Sequence, residues 1–250
     1  MINGKRKEVI IIICSLDLEF ALCILKPNIF ARMKLSAVIF DMDGLLIDSE
    51  PLWNEAADEI FQRYGFNLAP HQHALTTGLR IREYVIWWFT FYKIPLELAP
   101  AAQKDITEKV IEKVLLKGRA LPGVSHILNF FIARKFKIGL ATSSGQELID
   151  VVIKYLGIKD HLQAIASADK LPYGKPHPQV YLDCAALLEV DPVECICFED
   201  SFNGMIAAKA ARMKCVVVPA QHQLQELRWS AADLKITSLA NFNDLLMQTL

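Results

Sequence analysis

The sequence predicts an α/β fold with a mainly parallel sheet, on three observations. Short apolar runs typical of buried strands lie at residues 36–40, 137–141, 164–167, 195–198 and 215–218. Helical patterns separate the later runs, at residues 123–135, 145–156, 178–188 and 204–213. Strands that alternate with helices are joined by right-handed crossovers, which produce parallel pairs. The third observation is a long stretch without a strand pattern, which predicts a helical insertion after the first strand.

The first strand pattern is SAVIF at residues 36–40, which ends at Asp41. A short apolar run rich in β-forming residues is typical of a strand that is covered on both faces. The runs KIGLA, AIAS, CICF and CVVV repeat this composition further along the chain. We therefore expect helices on both sides of the sheet.

The strandless stretch extends from about Ser49 to Leu121 and contains three helical patterns. They lie at residues 51–64, 82–92 and 101–116; the second is dense in aromatic residues, and the third carries its apolar residues on one face. Such aromatic density is more typical of a packed core than of a base-stacking platform. We predict a helical cap at residues 49–121, inserted into a core formed by residues 33–48 and 122–250.

Composition and charge exclude several classes of protein. The chain has 250 residues, with 27 Lys and Arg against 28 Asp and Glu, and 53% of its residues are hydrophobic. A net charge of −1 without a basic stripe argues against nucleic-acid binding, and the hydrophobic content excludes a disordered chain. The six cysteines are too sparse for a disulfide scaffold. We expect reduced thiols and a monomer in the cytoplasm, without nucleic-acid or membrane partners.

Residues 1–32 form the least typical segment. A basic cluster at residues 5–7 precedes an apolar run, as in a signal peptide, but Asp17 and Glu19 interrupt the apolar residues. The run is much shorter than the ~20 residues that a membrane-spanning helix needs. Met33 offers a second start directly before the first strand. We expect an extension without a part in the chemistry; a signal or anchor and a packed extra element are the alternatives.

The strongest chemical signal is Asp41-Met42-Asp43-Gly44, which follows the first predicted strand. Ligands of open α/β sheets bind at the carboxyl ends of the strands, and two acids two positions apart project to the same side. A solvated turn or a calcium loop could carry the same letters. A calcium loop needs further oxygen ligands at alternating positions, whereas apolar residues follow here.

Three further polar groups follow predicted strands or open helices in the same sheet. Thr142-Ser143-Ser144 offers a hydroxyl and amide groups at a helix start, which suits an anion, although a simple helix cap is the alternative. Lys175 lies between Gly174 and a proline-rich helix start, where it is either a fixed cation or a solvated one. Adjacent carboxylates Glu199 and Asp200 leave an apolar strand, and burying them is costly without a cation or donors.

In these segments the chain resembles the haloacid dehalogenase-like phosphohydrolases. DMDGLLIDSE is similar to the first motif of that family, ATSS to the second, GKPHPQVY to the third and FEDSFNGMIAAKAA to the fourth, in the family's order. The resemblance covers Leu35 to the C-terminus and is closest to the subgroup of β-phosphoglucomutase and the sugar phosphatases. It implies a Rossmann-like core, a helical cap, and Mg²⁺-dependent hydrolysis of small sugar or sugar-alcohol phosphates through an aspartyl phosphate.

The resemblance also implies roles for single residues. Asp41 would be the nucleophile, and Asp43 would protonate the leaving oxygen and then activate water. The expected metal ligands are the Asp41 carboxylate, the Asp43 carbonyl and Asp200, with Glu199 in the outer shell. The residues expected to hold the phosphoryl oxygens are Thr142, Ser143 and Lys175.

Two assignments in the same family pattern depend on weaker signals. Arg80, in the loop that aligns with the subgroup's substrate-contacting loop, is the candidate for contacting the sugar, with a surface arginine as the alternative. Asn203 would orient the carboxylates of the fourth motif or a phosphate oxygen, or simply cap a helix. Trp53 stands where the mutase has a histidine, which favours hydrolysis over phosphoryl transfer between sugar positions. A non-enzymatic phosphate-binding module is the remaining alternative.

Overall fold

The computed structural model describes residues 34–250 of the chain. The predicted extension at residues 1–32 and the second start at Met33 lie outside the described residues. Within residues 34–250, no helix combines the length and the apolar composition needed to cross a membrane.

The described part of the chain contains one sheet of six parallel strands. The strands are β1 (Ala37–Phe40), β2 (Lys137–Thr142), β3 (Ala164–Ser167), β4 (Cys195–Glu199), β5 (Lys214–Val217) and β6 (Leu234–Lys235). Their order across the sheet is β3-β2-β1-β4-β5-β6. The chain winds outward from β1 in one direction and then from β4 in the other. Such a reversal brings the carboxyl ends of β1 and β4 to a crevice in which ligands bind.

Successive residues of β1 enter two different hydrophobic cores. Val38 and Phe40 belong to one cluster, whereas Ala37 and Ile39 belong to the other. Because side chains alternate along a strand, the two clusters lie on opposite faces of the sheet. All four side chains are fully buried, so the prediction of a sheet covered on both faces is confirmed.

Four α-helices lie between Ser49 and Leu121, after β1; we call them the inserted helices. They are α1 (Glu50–Phe61), α2 (Pro70–Leu75), α3 (Ile81–Phe91) and α4 (Ala99–Lys117). Helices α1 and α3 both pack against α4. Phe61 stacks on Phe66 and Tyr84, with ring centroids 4.6 and 5.6 Å apart. The aromatic residues of this stretch therefore form a packed core, as the sequence predicts.

The remaining helices cover the sheet. They are α5 (Val124–Ala133), α6 (Gln146–Leu156), α7 (Gln179–Leu187), α8 (Phe202–Ala210) and α9 (Asp244–Met247). The sequence predicts every strand and helix except β6, α2 and α9, and its boundaries differ from the observed ones by at most three residues. The missed elements have two to six residues, which is too short for a periodic pattern to appear. Helix α8 begins before its predicted start because the Ser201 hydroxyl accepts a hydrogen bond from the Gly204 amide and caps it.

Candidate active site

The loop after β1 brings Asp41 to the crevice between β1 and β4. Asp41 is 6% exposed, and its amide donates to the Phe198 carbonyl of β4 at 3.0 Å. Gly44 turns the chain with a φ of +75°, and a Cβ at this position would overlap the Asp200 carboxylate. Glycine is therefore required twice over, for the left-handed backbone and for the close approach of Asp200.

A buried lysine joins two carboxylates below the crevice. Lys175 is 2% exposed, and its Nζ lies 2.6 Å from Asp41 Oδ1 and 2.6 Å from Glu199 Oε1. It also donates to the Ala141 carbonyl at 3.1 Å. Burial by itself disfavours the charged amine, but Asp41 and Glu199 together outweigh it and raise the pKa of Lys175 above its usual range. Lys175 is therefore a fixed cation, and the solvated alternative is excluded.

Glu199 is saturated with donors from inside the protein. It is fully buried and accepts hydrogen bonds from Tyr181 Oη, from Ser201 Oγ at 3.0 Å and from the Ser201 amide at 3.1 Å. A Cβ on Gly204 would overlap its carboxylate, so the glycine at this point of α8 makes room for it. Glu199 contacts Lys175 and the start of α8. It lies beneath the floor of the cavity described below and does not line that cavity.

Three carboxylates could hold a metal ion. Oxygens of Asp41, Glu199 and Asp200 lie within 4.8 Å of one another. Burial raises the pKa of Asp41 to about 8, although Lys175 opposes the shift. Burial, followed by the charges of Glu199 and Asp41, also raises the pKa of Asp200. One lysine cannot neutralise three carboxylates, and hard oxygens suit Mg²⁺, so the donor set fits the expected cofactor.

The side chain of Asp43 turns away from this cluster. Its Oδ1 accepts from Ser49 Oγ at 2.7 Å and from Trp53 Nε1 at 3.0 Å, and its Oδ2 accepts from Ser144 Oγ at 2.6 Å. The sequence does not predict that Ser49 and Ser144 contact Asp43. Ser144 belongs to Thr142-Ser143-Ser144, for which the sequence predicts an anion site or a helix cap.

A cavity of about 350 Å³ lies over these groups. Core residues form its floor, and residues of the inserted helices and their loops form the opposite wall. The floor includes Asp41, Asp43, Thr142, Ser143, Lys175 and Asp200, and the wall includes Glu50, Trp53, Asn54, His73, Thr77 and Tyr84. The structure therefore brings together the predicted residues for nucleophile, acid, phosphoryl binding and metal.

Thr142 and Ser143 reach the cavity at the end of β2. Thr142 is 1% exposed, and its Oγ1 accepts from the Ser144 amide at 3.1 Å; this turn precedes α6, whose N-cap is Gly145, so Thr142 is not the helix cap. Ser143 Oγ donates to the Gly78 carbonyl, in the loop between α2 and α3, at 2.8 Å. The hydroxyl of Ser143 is thus engaged with the inserted segment. Its backbone amide is the group that the resemblance assigns to phosphate.

Arg80 and Asn203 are not part of the cavity wall. Arg80 is 4% exposed, so it is not a surface arginine; its Nη1 donates to the carbonyls of Ala168, at 3.1 Å, and of Leu171. Glu83 pairs with Arg80 and accepts from the Gly174 amide at 3.3 Å. In this arrangement Arg80 connects the inserted helices to the core and does not contact the cavity.

Asn203 is likewise engaged outside the cavity. Its Nδ2 donates to the Thr77 carbonyl at 3.2 Å, and Ser201, not Asn203, caps α8. It therefore links α8 to the loop before α3. Tyr181 and Glu83 are further residues that the sequence does not predict. Tyr181 contacts Glu199, and Glu83 pairs with the nearby Arg80 but also contacts Gly174, 91 residues away.

Comparisons with known proteins identify phosphatases among the relatives and a solved structure of the same fold. Hexitol phosphatase B of Escherichia coli (strain K12) is 43% identical over 208 residues, which are 81% of this chain and 92% of that protein. Phosphorylated carbohydrates phosphatase of Thermotoga maritima is 32% identical over 187 residues, 71% of this chain and 82% of that protein. A crystal structure of β-phosphoglucomutase from Clostridium difficile has a TM-score of 0.76 at 25% identity, covering 86% of this chain and 96% of that one.

The model of one family also matches the chain. It is described as haloacid dehalogenase-like hydrolase, and it matches residues 38–218, from β1 to just beyond β5. The matched residues include the strand ends that carry Asp41, Thr142 and Asp200. The chain belongs to the haloacid dehalogenase-like hydrolase family.

Proposed function

We propose that this protein hydrolyses phosphate monoesters of small sugars or sugar alcohols, with Asp41 as nucleophile. One observation carries the proposal: Asp41 lies on the floor of the cavity, 2.6 Å from a buried lysine and beside Asp200. A carboxylate with a fixed cation on one side and acidic ligands on the other suits attack on phosphorus. The protein is a phosphoric monoester hydrolase, in agreement with the phosphatases among its relatives.

In the first half-reaction, an Asp41 carboxylate oxygen bonds to phosphorus while the bond from phosphorus to the substrate oxygen breaks. Asp43 gives its proton to that leaving oxygen. In the second half-reaction water attacks the acyl phosphate, Asp43 takes the proton from the water, and Asp41 is released. Thr142 and the Ser143 amide stabilise the charge on the equatorial oxygens by hydrogen bonds; Lys175, whose three donors are occupied by Asp41, Ala141 and Glu199, does so through its positive charge.

Mg²⁺ would be held by the Asp41 and Asp200 carboxylates and the Asp43 carbonyl. When bound, it offsets the repulsion between the carboxylate nucleophile and the anionic substrate. Glu199 is already occupied by Lys175, Tyr181 and the start of α8. Its part is to keep Lys175 beside Asp41, in the outer shell of the metal.

The inserted helices act as a cap, for which we propose residues 49–121 as the boundaries. The two chain segments that join the inserted helices to the core run antiparallel to each other, with Ile47 paired to Ala120. Asp48 donates from its amide to the Arg119 carbonyl at 2.9 Å, and Leu121 to the Leu46 carbonyl at 3.1 Å. A paired crossing of this kind is a hinge, and closure of the cap excludes stray water from the acyl phosphate.

The substrate class is inferred from the wall of the cavity. Lys175 is buried at the floor and occupied by two carboxylates, and Lys170 is an exposed cation at the rim. On the cap wall, Glu50, Asn54 and Thr77 offer neutral or acidic hydrogen-bonding groups. Both ring nitrogens of His73, on the same wall, are engaged by Asp58 and Tyr84. Such a wall suits the hydroxyls of an otherwise uncharged polyol. A hexitol phosphate is therefore the first candidate, in line with the name of the relative that is 43% identical.

We also propose a monomer in the cytoplasm. Cys184, Cys195, Cys197 and Cys215 are buried free thiols, which suits a reducing compartment. Size-exclusion chromatography of the pure protein tests the oligomeric state directly.

The proposal is tested by a phosphate-release screen over hexitol, hexose, 2-deoxyhexose and pentose phosphates with Mg²⁺. We expect turnover of at least one of them, and Asp41→Asn should lower it at least about 10³-fold while the fold is kept. Asp48→Asn removes an exposed carboxylate from the same loop and should leave the rate unchanged. No phosphate release from any substrate would contradict hydrolysis, and an isomerised sugar phosphate in its place would establish the mutase alternative.

A further inference from the structure

Asp43, on the cavity floor, is held in place by hydrogen bonds. Its carboxylate accepts three hydrogen bonds, at 2.6 Å from Ser144, 2.7 Å from Ser49 and 3.0 Å from Trp53. An ionised carboxylate offers about four lone-pair sites. Three are thus occupied by the protein, and Asp43 still lines the cavity.

The donors reach Asp43 from opposite sides of the cavity. Ser144 follows β2 and belongs to the core, and it is 8% exposed. Trp53 lies on α1, the first inserted helix, and Ser49 directly precedes that helix. The rotation of Asp43 about its side-chain bonds is therefore fixed jointly by the core and by the inserted helices.

The indole of Trp53 has a specific function in this contact. An indole nitrogen only donates a hydrogen bond, and its N–H group does not ionise at neutral pH. Trp53 can therefore orient Asp43 but cannot act as acid or base in its place. The Ser144 hydroxyl can both donate and accept; here it donates to Asp43 Oδ2 at 2.6 Å and so orients the same carboxyl group.

We propose that Trp53 and Ser144 are positioning residues for Asp43. They fix the rotation of its carboxyl group in the cavity, one from the core and one from α1, so that Asp43 can deliver its proton to the leaving oxygen. This inference rests on the proposed function, in which Asp43 protonates the leaving oxygen.

The test uses two substrates that need this proton to different degrees. A sugar phosphate has a poor leaving group and depends on the acid, whereas p-nitrophenyl phosphate has a good one and does not. Trp53→Phe keeps a ring and removes the N–H; Ser144→Ala removes the hydroxyl. We expect each to lower kcat for the sugar phosphate about fivefold to tenfold, as loss of one hydrogen bond implies, and kcat for p-nitrophenyl phosphate less than about twofold.

A donor-retaining variant and a remote variant complete the design. Ser144→Thr keeps the hydroxyl donor and should recover most of the rate with the sugar phosphate. Trp87→Phe makes the same change at a tryptophan that is 54% exposed on α3, and both rates should be unchanged. Thermal unfolding identifies variants that do not fold; Ser144→Ala is the smaller change and carries the test if Trp53→Phe unfolds.

Equal losses with the two substrates would overturn the inference, because a packing role does not distinguish leaving groups. Unchanged rates in Trp53→Phe and Ser144→Ala would overturn it as well. If the unmodified protein released phosphate from neither substrate, the proposed function itself would fail, which is a different result from either of these.

Discussion

Two lysines of this protein form ion pairs of nearly the same length in opposite surroundings. Lys175 Nζ lies 2.6 Å from Asp41, and the two side chains are 1% and 9% exposed. Lys117 Nζ, at the end of the inserted helix α4, lies 2.5 Å from Glu55, and these side chains are 46% and 45% exposed. Water screens the second pair and not the first. The distance between the charges therefore does not decide how much each pair contributes to stability. Burial decides it, and breaking the buried pair on the cavity floor has the larger effect.

Replacing Lys175 gives the largest expected effect. Lys175→Met leaves Asp41 and Glu199 without their shared cation in a buried site. Removing one partner of a buried pair costs about 3–5 kcal/mol, so the free energy of unfolding should fall by that amount. Loss of this positive charge beside the phosphoryl group adds a decrease of about 10²- to 10³-fold in kcat. Urea unfolding and phosphate release measure the two quantities separately.

Lys117→Met is the matched control on the inserted helices. It removes the same charge from a pair of similar length, and the free energy of unfolding should change by less than about 1 kcal/mol. If Lys117→Met destabilised the protein as much as Lys175→Met, the comparison between the two regions would be wrong.

The effect of Mg²⁺ on stability should increase with pH. The pKa of Asp41 is raised to about 8 and that of Asp200 is also raised, so protons compete for the ligands at lower pH. Raised carboxyl pKa values mean that the metal-free fold retains protons the unfolded chain has lost, and its stability falls as pH rises from about 4 toward 8. Mg²⁺ at about 100 times its Kd stabilises by about 2.7 kcal/mol.

Melting temperatures with Mg²⁺ and with a chelator measure this linkage. The difference between them should be larger at pH 8 than at pH 6, and Asp200→Asn should reduce it at both. A difference that stays the same at the two pH values would contradict the assignment of these carboxylates as ligands.

Replacing Arg80 tests whether this residue connects the inserted helices to the core or contacts the substrate. Arg80→Met leaves the carbonyls of Ala168 and Leu171 without this donor, which should cost about 1–3 kcal/mol of stability. Because Arg80 lies outside the cavity wall, kcat/KM should fall by the same factor for a sugar phosphate and for p-nitrophenyl phosphate. A loss confined to the sugar phosphate would restore the prediction from the sequence that Arg80 contacts the sugar.

The residues at the strand ends were predictable because each lies within a few residues of an apolar run that is recognisable as a buried strand. Asp41 directly follows β1, Thr142 ends β2, and Asp200 directly follows β4. The carboxyl ends of parallel strands lie at one edge of the sheet. The sequence therefore predicts that these residues, although far apart in the chain, lie close together at that edge. Lys175 precedes a helix and does not follow a strand, so hydrophobic periodicity does not place it at the site. The resemblance of GKPHPQVY to the third motif of the family predicts its position instead.

The positions of Arg80, Trp53 and Ser144 could not be predicted in the same way. Arg80 contacts carbonyls 88 and 91 residues away, and Ser144 reaches a carboxylate 101 residues away. No local pattern encodes such partners, since they depend on how the inserted helices lie against the core. The sequence indicated that Trp53 replaces a histidine, but not that its indole donates to Asp43.

By itself, then, the amino-acid sequence determined the α/β class, the helical insertion and the set of strand-end groups, because hydrophobic periodicity and chain order are local properties. Only the tertiary structure decided that Glu199 binds Lys175 inside the protein, that Arg80 joins the inserted helices to the core, and that Asp43 is held from both sides. These outcomes depend on burial and on the directions of side chains, which arise when distant segments pack against each other.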